Sequence, residues 1–451
     1  MGFYTTFVAN LLFPFQEKLK HHNTVAIRRS MDDSQWWTAE MLEQYRVKRL
    51  RELLIRAGKD VPYYRDCFSG INFDPQSVDS IDDMLILPFL TKSIIRSEGE
   101  RMKSETAGKL ARFNTGGSSG EPLIFYIGNE RVSHDVAAKW RATRWWNVDI
   151  GDPEIVVWGS PIELGTQDRF RTIRDWMMRT ELLSAFEMSE SRLDAFVERI
   201  RTRRPAMLFG YPSAITHIAA HATERKTALN ALGIKVVFVT SERLYDHQRQ
   251  MIAKTFGCPV ANGYGSRDAG FIAHECPAGK MHITAEDVIV EIVNEQGNPQ
   301  PPGVSGEIVV THLATADFPF IRYRTGDVAM LGTEICSCGR NLPVLEDIQG
   351  RTTDFVVAAN GTIIHGLALI YVLRDLPEVR EFKVIQESID LTRVMLVAGQ
   401  NFSAETEHRI VVGLQKRLGE SVRIVVQLVD RILPEKSGKF RYIISHVAKG
   451  N

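Results

Sequence analysis

Short apolar runs alternate with amphipathic stretches along most of the chain. Between residues 36 and 59, Leu42, Tyr45, Leu50, Leu53, Leu54 and Ala57 fall close to a 3.6-residue period and Gly58 follows, which predicts a helix with one buried stripe. In the middle of the chain, residues 155–158, 207–209 and 236–239 are apolar runs of buried-strand type, separated by helical patterns such as 193–201 and 215–223. That alternation predicts α/β layering. From about residue 287 the texture becomes β-rich, with runs at 288–292 and 308–311 around the turn Pro301-Pro302-Gly303. After Gly350 a smaller α+β pattern follows, with strands near 355–358, 382–385, 394–397 and 422–426 and helices near 367–373 and 405–418. The expected organisation is a large α/β domain over residues 1–350, containing a β-rich subdomain at about 287–345, and a small α+β lid domain over 351–451.

Composition narrows the class. A chain of 451 residues is too long for one compact domain, and 44% hydrophobic with 24% charged residues fills an ordinary soluble core. Lys plus Arg (55) balances Asp plus Glu (55), so no global field draws nucleic acid or acidic membranes, and no nucleic-acid partner is expected. The five cysteines (Cys67, Cys258, Cys276, Cys336, Cys338) are odd in number and fall mostly late in the chain. That is not a secreted disulfide framework, and a cytoplasmic location is expected. Residues 1–15 are apolar and aromatic, but Pro14 interrupts them. They are too short to span a bilayer and lack a basic start and a cleavage site, so integral membrane association is not expected. Packing on their own domain or on a partner subunit is.

The sharpest local signal is Asn114-Thr115-Gly116-Gly117-Ser118-Ser119-Gly120-Glu121-Pro122. Its glycines permit positive-φ turns, so successive N–H groups can line an anion nest, and Thr115, Ser118 and Ser119 add hydroxyl donors. A polyphosphate fits such a loop, although no Gly-Lys-Ser/Thr follows as in a P-loop. Four more motifs come in order: Asn262-Gly263-Tyr264-Gly265-Ser266-Arg267-Asp268, Tyr323-Arg324-Thr325-Gly326-Asp327, Gly350-Arg351-Thr352-Thr353-Asp354, and Pro434-Glu435-Lys436-Ser437-Gly438-Lys439-Phe440-Arg441. Each alone reads as a turn or a surface charge. All five in this order are far more specific.

In that order they resemble the adenylate-forming ligase superfamily, and within it the phenylacetate–CoA ligase-like branch with its capsule-biosynthesis relatives. The resemblance spans nearly the whole chain and includes Trp36-Trp37, Pro62-Tyr63-Tyr64-Arg65 and Gly210-Tyr211-Pro212-Ser213. It implies ATP-dependent activation of an aryl or other small carboxylic acid to an acyl-adenylate, with coenzyme A as acceptor. By resemblance, Thr115 to Gly120 hold the ATP phosphates. Ser241 and Glu242 pass along the base edge, Tyr264 stacks on adenine within the Asn262, Gly263, Gly265 and Ser266 motif, and Asp327 and Arg351 hold the ribose. Asp268 stands where the family has a glutamate for Mg²⁺, one methylene shorter, a gap that an intervening water would fill. The resemblance also implies that Lys439 is the catalytic residue, bridging the substrate carboxylate and the α-phosphate. The small domain is expected to rotate after adenylation about a hinge near Thr353-Asp354, where the family has an acidic residue or lysine. Trp158, Phe186, Tyr211, Ala261 and Ala269 are the candidate walls of the acyl pocket. A homodimer is compatible with the resemblance.

The cysteines carry a separate expectation. Cys276 and His282 form one local pair, Cys336 and Cys338 another, and together they match a closed tetrahedral structural Zn²⁺ site. His274 is an alternative to His282, and buried free thiols are the plainer reading. Two other functional readings share the motifs. One is an adenylating transferase that passes the acyl group to an amine, a hydroxyl or a carrier-protein thiol. The other is a nucleotide-binding scaffold that has lost catalysis, favoured by Asp268 and Thr353 and opposed by Lys439, Asp327 and the glycine-rich loop.

Overall fold

A computed structural model describes residues 2–114, 123–159, 169–185, 187–349, 355–374, 376–399, 401–432 and 443–447. The first strands, β1 (Ala111–Asn114) and β2 (Ile124–Ile127), form an antiparallel pair with Asn114 opposite Ile124. Then come β3 (Glu154–Trp158), β4 (Thr180–Ser184), β5 (Glu187–Met188), β6 (Met207–Gly210), β7 (Val236–Thr240) and β8 (Val260–Ser266). They are followed by β9 (Gly270–Glu275), β10 (Met281–Ile283), β11 (Val288–Val293), β12 (Gly306–His312), β13 (Tyr323–Leu331) and β14 (Val344–Gln349).

Eleven of these strands join in one sheet, in the order β11-β12-β13-β14-β10-β9-β8-β7-β6-β3-β4. The five from β8 to β4 are parallel, and every other pair is antiparallel. The β-rich stretch expected from residue 287 therefore continues the α/β sheet edge to edge instead of standing apart, because β9 and β10 bridge the two halves.

Both faces of the parallel part are covered, which is why its strands read as continuous apolar runs. Ile155, Val157, Leu208, Val237 and Val239 pack against the helices Glu190–Arg203 and Pro212–Glu224. On the other face, Phe209, Phe238 and Ala261 join the core that also holds Leu50, Leu53, Leu54 and Ala57 of the helix Ala39–Asp60. That helix begins three residues later than its periodicity alone suggests. Thr38 caps it, accepting from the Met41 N–H, so Trp36 and Trp37 lie ahead of the first turn.

The last part of the chain has its own core around Phe382, Val384, Leu396, Ile410 and Leu414. Strands β17 (Val379–Ser388), β18 (Leu391–Ala398), β19 (Arg423–Leu428) and β20 (Ile443–Ser445) form a four-stranded sheet in the order β19-β18-β17-β20. The helices Leu367–Arg374 and Ala404–Leu418 lie where the pattern predicts them. Strands β15 (Phe355–Val357) and β16 (Ile363–His365) pair with each other, and β16 also pairs with β5 from the large domain.

Candidate active site

Chain order across the parallel strands locates a crevice. From β3 the chain moves outward to β4, whereas from β6 it moves the other way to β7 and β8, and β3 and β6 are neighbours. Such a reversal leaves a gap between the two outgoing connections at the carboxyl ends of the strands, where open α/β sheets bind ligands. Trp158 closes β3 and Tyr211 follows β6, and their rings stack at this gap with centroids 4.2 Å apart. Gly210 makes the approach feasible, since a Cβ there would lie 2.2 Å from the Val157 carbonyl oxygen. Ala261 lies in register with Phe238 on β8, and Ala269 is buried in the turn between β8 and β9.

The row of rings continues from Trp158 through Phe209 and Phe238 to His274, at centroid separations of 6.1, 6.0 and 6.0 Å. Among the described residues, neither nitrogen of the buried His274 ring has a hydrogen-bond partner. Burial, reinforced by Arg141 and Lys139, pushes its pKa down to about 3, so the ring is neutral. In the sequence it reads only as an alternative metal ligand, because nothing in the local pattern marks it as part of an aromatic row.

Of the motifs singled out in the sequence, 262–268 and 323–327 lie among the described residues and meet through side-chain hydrogen bonds. Ser241, with φ of 72°, and Glu242 follow β7. Glu242 accepts from the backbone N–H (3.3 Å) and hydroxyl of Ser213, which joins it to the start of the helix after β6. Asn262, Gly263, Tyr264, Gly265 and Ser266 lie on β8, and the Asn262 N–H donates to Glu275 Oε2 at 2.7 Å. The Tyr264 hydroxyl donates to Asp327 Oδ2 at 3.0 Å. Asp268 is buried and accepts from the Tyr323 hydroxyl at 2.5 Å. Burial alone would raise its pKa, but the Lys92 charge and hydrogen bonds from Ser266 and Tyr323 bring it below the ordinary aspartate value.

Arg131, from the helix Asn129–Arg144, is a residue that the motifs did not reveal. Its buried guanidinium donates to the carbonyls of Asp268 (2.7 Å) and Arg267 (2.9 Å) and fixes the turn that carries Asp268. Arg267 in turn reaches the carbonyl of Asn114 at 3.5 Å, the residue before the glycine-rich loop. Thr115, Gly116, Gly117, Ser118, Ser119, Gly120, Phe186, Arg351, Thr353 and Lys439 lie outside the described residues.

A second cluster lies beyond the other end of β13. Ligand atoms of Cys276, His282, Cys336 and Cys338 fall within 4.8 Å of one another. Cys276 Sγ and Cys336 Sγ are 3.6 Å apart, and Cys338 Sγ is 3.2 Å from His282 Nε2. A tetrahedral zinc site with arms of about 2.3 Å has edges of roughly 3.8 Å, close to these spacings. His282 Nδ1 lies 3.0 Å from the Leu342 carbonyl, so Nδ1 carries the proton and Nε2 keeps its lone pair toward the thiols, the tautomer a metal needs. The donor set thus fits Zn²⁺. His282, rather than His274, stands with the three cysteines.

The loop bearing Cys336 and Cys338 is tied to the beginning of the chain. Arg340 stacks between Trp36 and Trp145 at 5.1 and 4.6 Å. Gln35 Oε1 accepts from Trp145 Nε1 and Arg340 Nε, and Asn341 donates to the Trp37 carbonyl at 2.8 Å.

Residues 183–316 match the AMP-binding enzyme family and residues 356–446 match the CapK C-terminal domain. Protein CapK of Staphylococcus aureus is 24% identical over 406 residues, covering 89% of this chain and 88% of that one. Phenylacetate-coenzyme A ligase of Thermus thermophilus is 23% identical over 354 residues, covering 75% and 77%. The fold is shared with 2-hydroxyisobutyryl-CoA ligase, solved with 2-HIB-AMP and CoA in the thioesterification state, at a TM-score of 0.65, 20% identity and coverage of 92% and 94%. Fold and matches together define an adenylate-forming ligase with a C-terminal small domain. The chain belongs to the phenylacetate–CoA ligase-like branch of that superfamily, the branch that includes CapK.

Proposed function

We propose that this protein uses ATP to convert a small carboxylic acid to its acyl-adenylate, releasing pyrophosphate, and then passes the acyl group to the thiol of coenzyme A. The observation that carries the reading is the convergence of Trp158–Tyr211 and Tyr264–Asp327 on the crevice at the carboxyl ends of the parallel strands. In this reading the Trp158 and Tyr211 rings flank the acyl group, with Phe186, Ala261 and Ala269 completing the wall. Flat aromatic surfaces suit an aryl acid. Asp327 accepts the ribose hydroxyls with Arg351 opposite, Tyr264 stacks on adenine, and Ser241 and Glu242 follow the base edge. Residues Thr115 to Gly120 cradle the phosphates.

Two anions must meet for the carboxylate to attack the α-phosphorus, and Lys439 supplies the positive charge that permits it. A magnesium ion, when bound, neutralises phosphate charge. Asp268 is ionised but already engaged by Tyr323, so it would serve that ion through water. Zn²⁺ on Cys276, His282, Cys336 and Cys338 is structural in this reading: all four donors are protein atoms, which leaves no open position for chemistry.

The match to the CapK C-terminal domain favours a second reading for the acceptor, namely an amine, a hydroxyl or a carrier-protein thiol. Pyrophosphate release over a panel of acids tests adenylation. Lys439→Ala is expected to lower that release by at least about 100-fold while ATP binding persists. Unchanged release would remove Lys439 from the mechanism. Adding CoA and weighing the products separates thioester formation from transfer elsewhere.

A further inference from the structure

Phe3, Phe7, Leu11, Phe15 and Leu19 stand four residues apart, and each is between 42 and 92% exposed. They ride on one continuous helical run: α-helix over Phe3–Phe7, π-helix over Val8–Leu12 and α-helix over Phe13–Leu19. In a pure α-helix a four-residue repeat drifts around the axis, since one turn takes 3.6 residues. The i→i+5 bonding of the π segment widens the turn and draws the repeat back, so the row keeps to one side.

The opposite side of this run is fastened down. Val8, Ala9 and Phe13 are buried in a cluster with Trp140 and Met178, and the Phe13 ring meets Trp140 edge-on at 5.1 Å. Thr5 donates to Asp152 at 2.8 Å. Gly151, at φ of +92°, admits the helix, since a Cβ there would lie 2.6 Å from Val8 Cβ. The exposed row is therefore a mounted surface and not a frayed end. Trp176, 72% exposed on the helix Arg169–Met178, extends it, and the Tyr4 hydroxyl joins the two helices by donating to the Met177 carbonyl at 2.8 Å.

The exposed charges on the run itself are cationic. Lys18 and Lys20 are exposed, and His21 follows them. Glu17, the sole carboxylate between residues 2 and 31, is buried and taken up by Thr24, His22 and Lys20. On the second helix Asp175 is bonded to Arg174, and Arg179 lies over the Tyr4 ring at 5.4 Å. The chain has no net charge, so the cations are a local concentration.

Large aromatic and aliphatic groups bordered by Lys and Arg are the chemistry that seats a helix in the headgroup region of an anionic bilayer. We propose that this face docks the protein peripherally on an anionic lipid surface, without spanning it. The proposal does not depend on the adenylation reading.

Co-sedimentation of the full chain with vesicles tests it. Phosphatidylcholine vesicles with and without phosphatidylglycerol are compared at low and high salt. At least tenfold stronger binding to the anionic vesicles is expected, weakening with salt. The triple variant Phe7→Ser/Leu11→Ser/Phe15→Ser should lose at least tenfold, with circular dichroism unchanged. The pair Lys18→Glu/Lys20→Glu, which leaves every apolar contact in place, should lose several-fold and covers the case in which the triple variant unfolds. Equal binding to both vesicle types, or binding to neither, overturns the proposal. So does a dimer in sedimentation velocity that the triple variant dissolves while wild-type protein ignores vesicles, because a second copy would then be the occupant.

Discussion

The hydroxyl of Tyr264 and the carboxylate of Asp327 meet at 3.0 Å although β8 and β13 are four places apart in the sheet. Flat strands about 4.8 Å apart would hold them roughly 19 Å from each other. The antiparallel half of the sheet must therefore curl back over the end of the parallel half, and that curl brings the Asp327 motif beside the Tyr264 motif. Tyr264→Phe removes the donor while keeping the ring. A loss of about 1 kcal/mol is expected, read as a roughly fivefold rise in the KM for ATP with kcat nearly unchanged. Asp327→Ala should raise that KM by at least about tenfold.

Arg131 offers a test of how the Asp268 turn is held. Arg131→Met keeps much of the volume but leaves two carbonyls and the Asp135 carboxylate without their cation. Breaking such a buried arrangement costs about 3 kcal/mol, to be read from the urea midpoint. In the variant that remains folded, the dependence of pyrophosphate release on magnesium should move to higher concentration.

His274 makes a prediction about acid. Its folded-state pKa of about 3 lies below the unfolded value of about 6.5. Between those values the unfolded chain binds a proton that the folded chain refuses, so stability falls as pH falls through this window. The slope from this residue approaches about 1.4 kcal/mol per pH unit. Because both ring nitrogens lack partners among the described residues, His274→Leu breaks none of the hydrogen bonds seen there. Thermal unfolding at pH 7 and pH 5 should show a smaller acid-induced drop in the variant than in the wild type. An equal drop would show that the ring protonates in the folded state.

The cysteine cluster predicts close to one zinc per chain by metal analysis. Cys338→Ser should reduce that content and lower Tm by several degrees. Unfolding followed by Trp fluorescence is the apt probe, since Trp36 and Trp145 flank Arg340 in the same loop. Absence of zinc from protein purified without chelator would rule the site out.

Much of the architecture was legible because local rules and tertiary demands coincide. Strands β6 and β7 are buried on both faces and so read as unbroken apolar runs, and their helices keep a clear 3.6-residue period. The two cysteine pairs were legible because metal-ligand spacing is a local property. What escaped notice depends on contacts distant in sequence. Nothing near Arg131 marks it as the clamp on residues 267 and 268, and nothing near His274 marks it as the end of a row that starts at Trp158. The run from Phe3 to Leu19 escaped for a different reason: its four-residue repeat matches neither the α-helical nor the strand period and becomes coherent only with the π turn.

The tie between residues 35–37 and 340–341 constrains the order of assembly. Gln35 and Trp37 are synthesised some three hundred residues before the Arg340 and Asn341 groups that hold them. Closing so long a loop is entropically slow, and contacts of this range come late in folding. During synthesis residues 35–37 must therefore wait for partners that do not yet exist, whereas Val8, Ala9 and Phe13 find Trp140 and Met178 much earlier. The seating of residues 35–37 is thus expected to come last, and a variant that weakens the 336–341 loop should show its defect as slow maturation of the nascent chain.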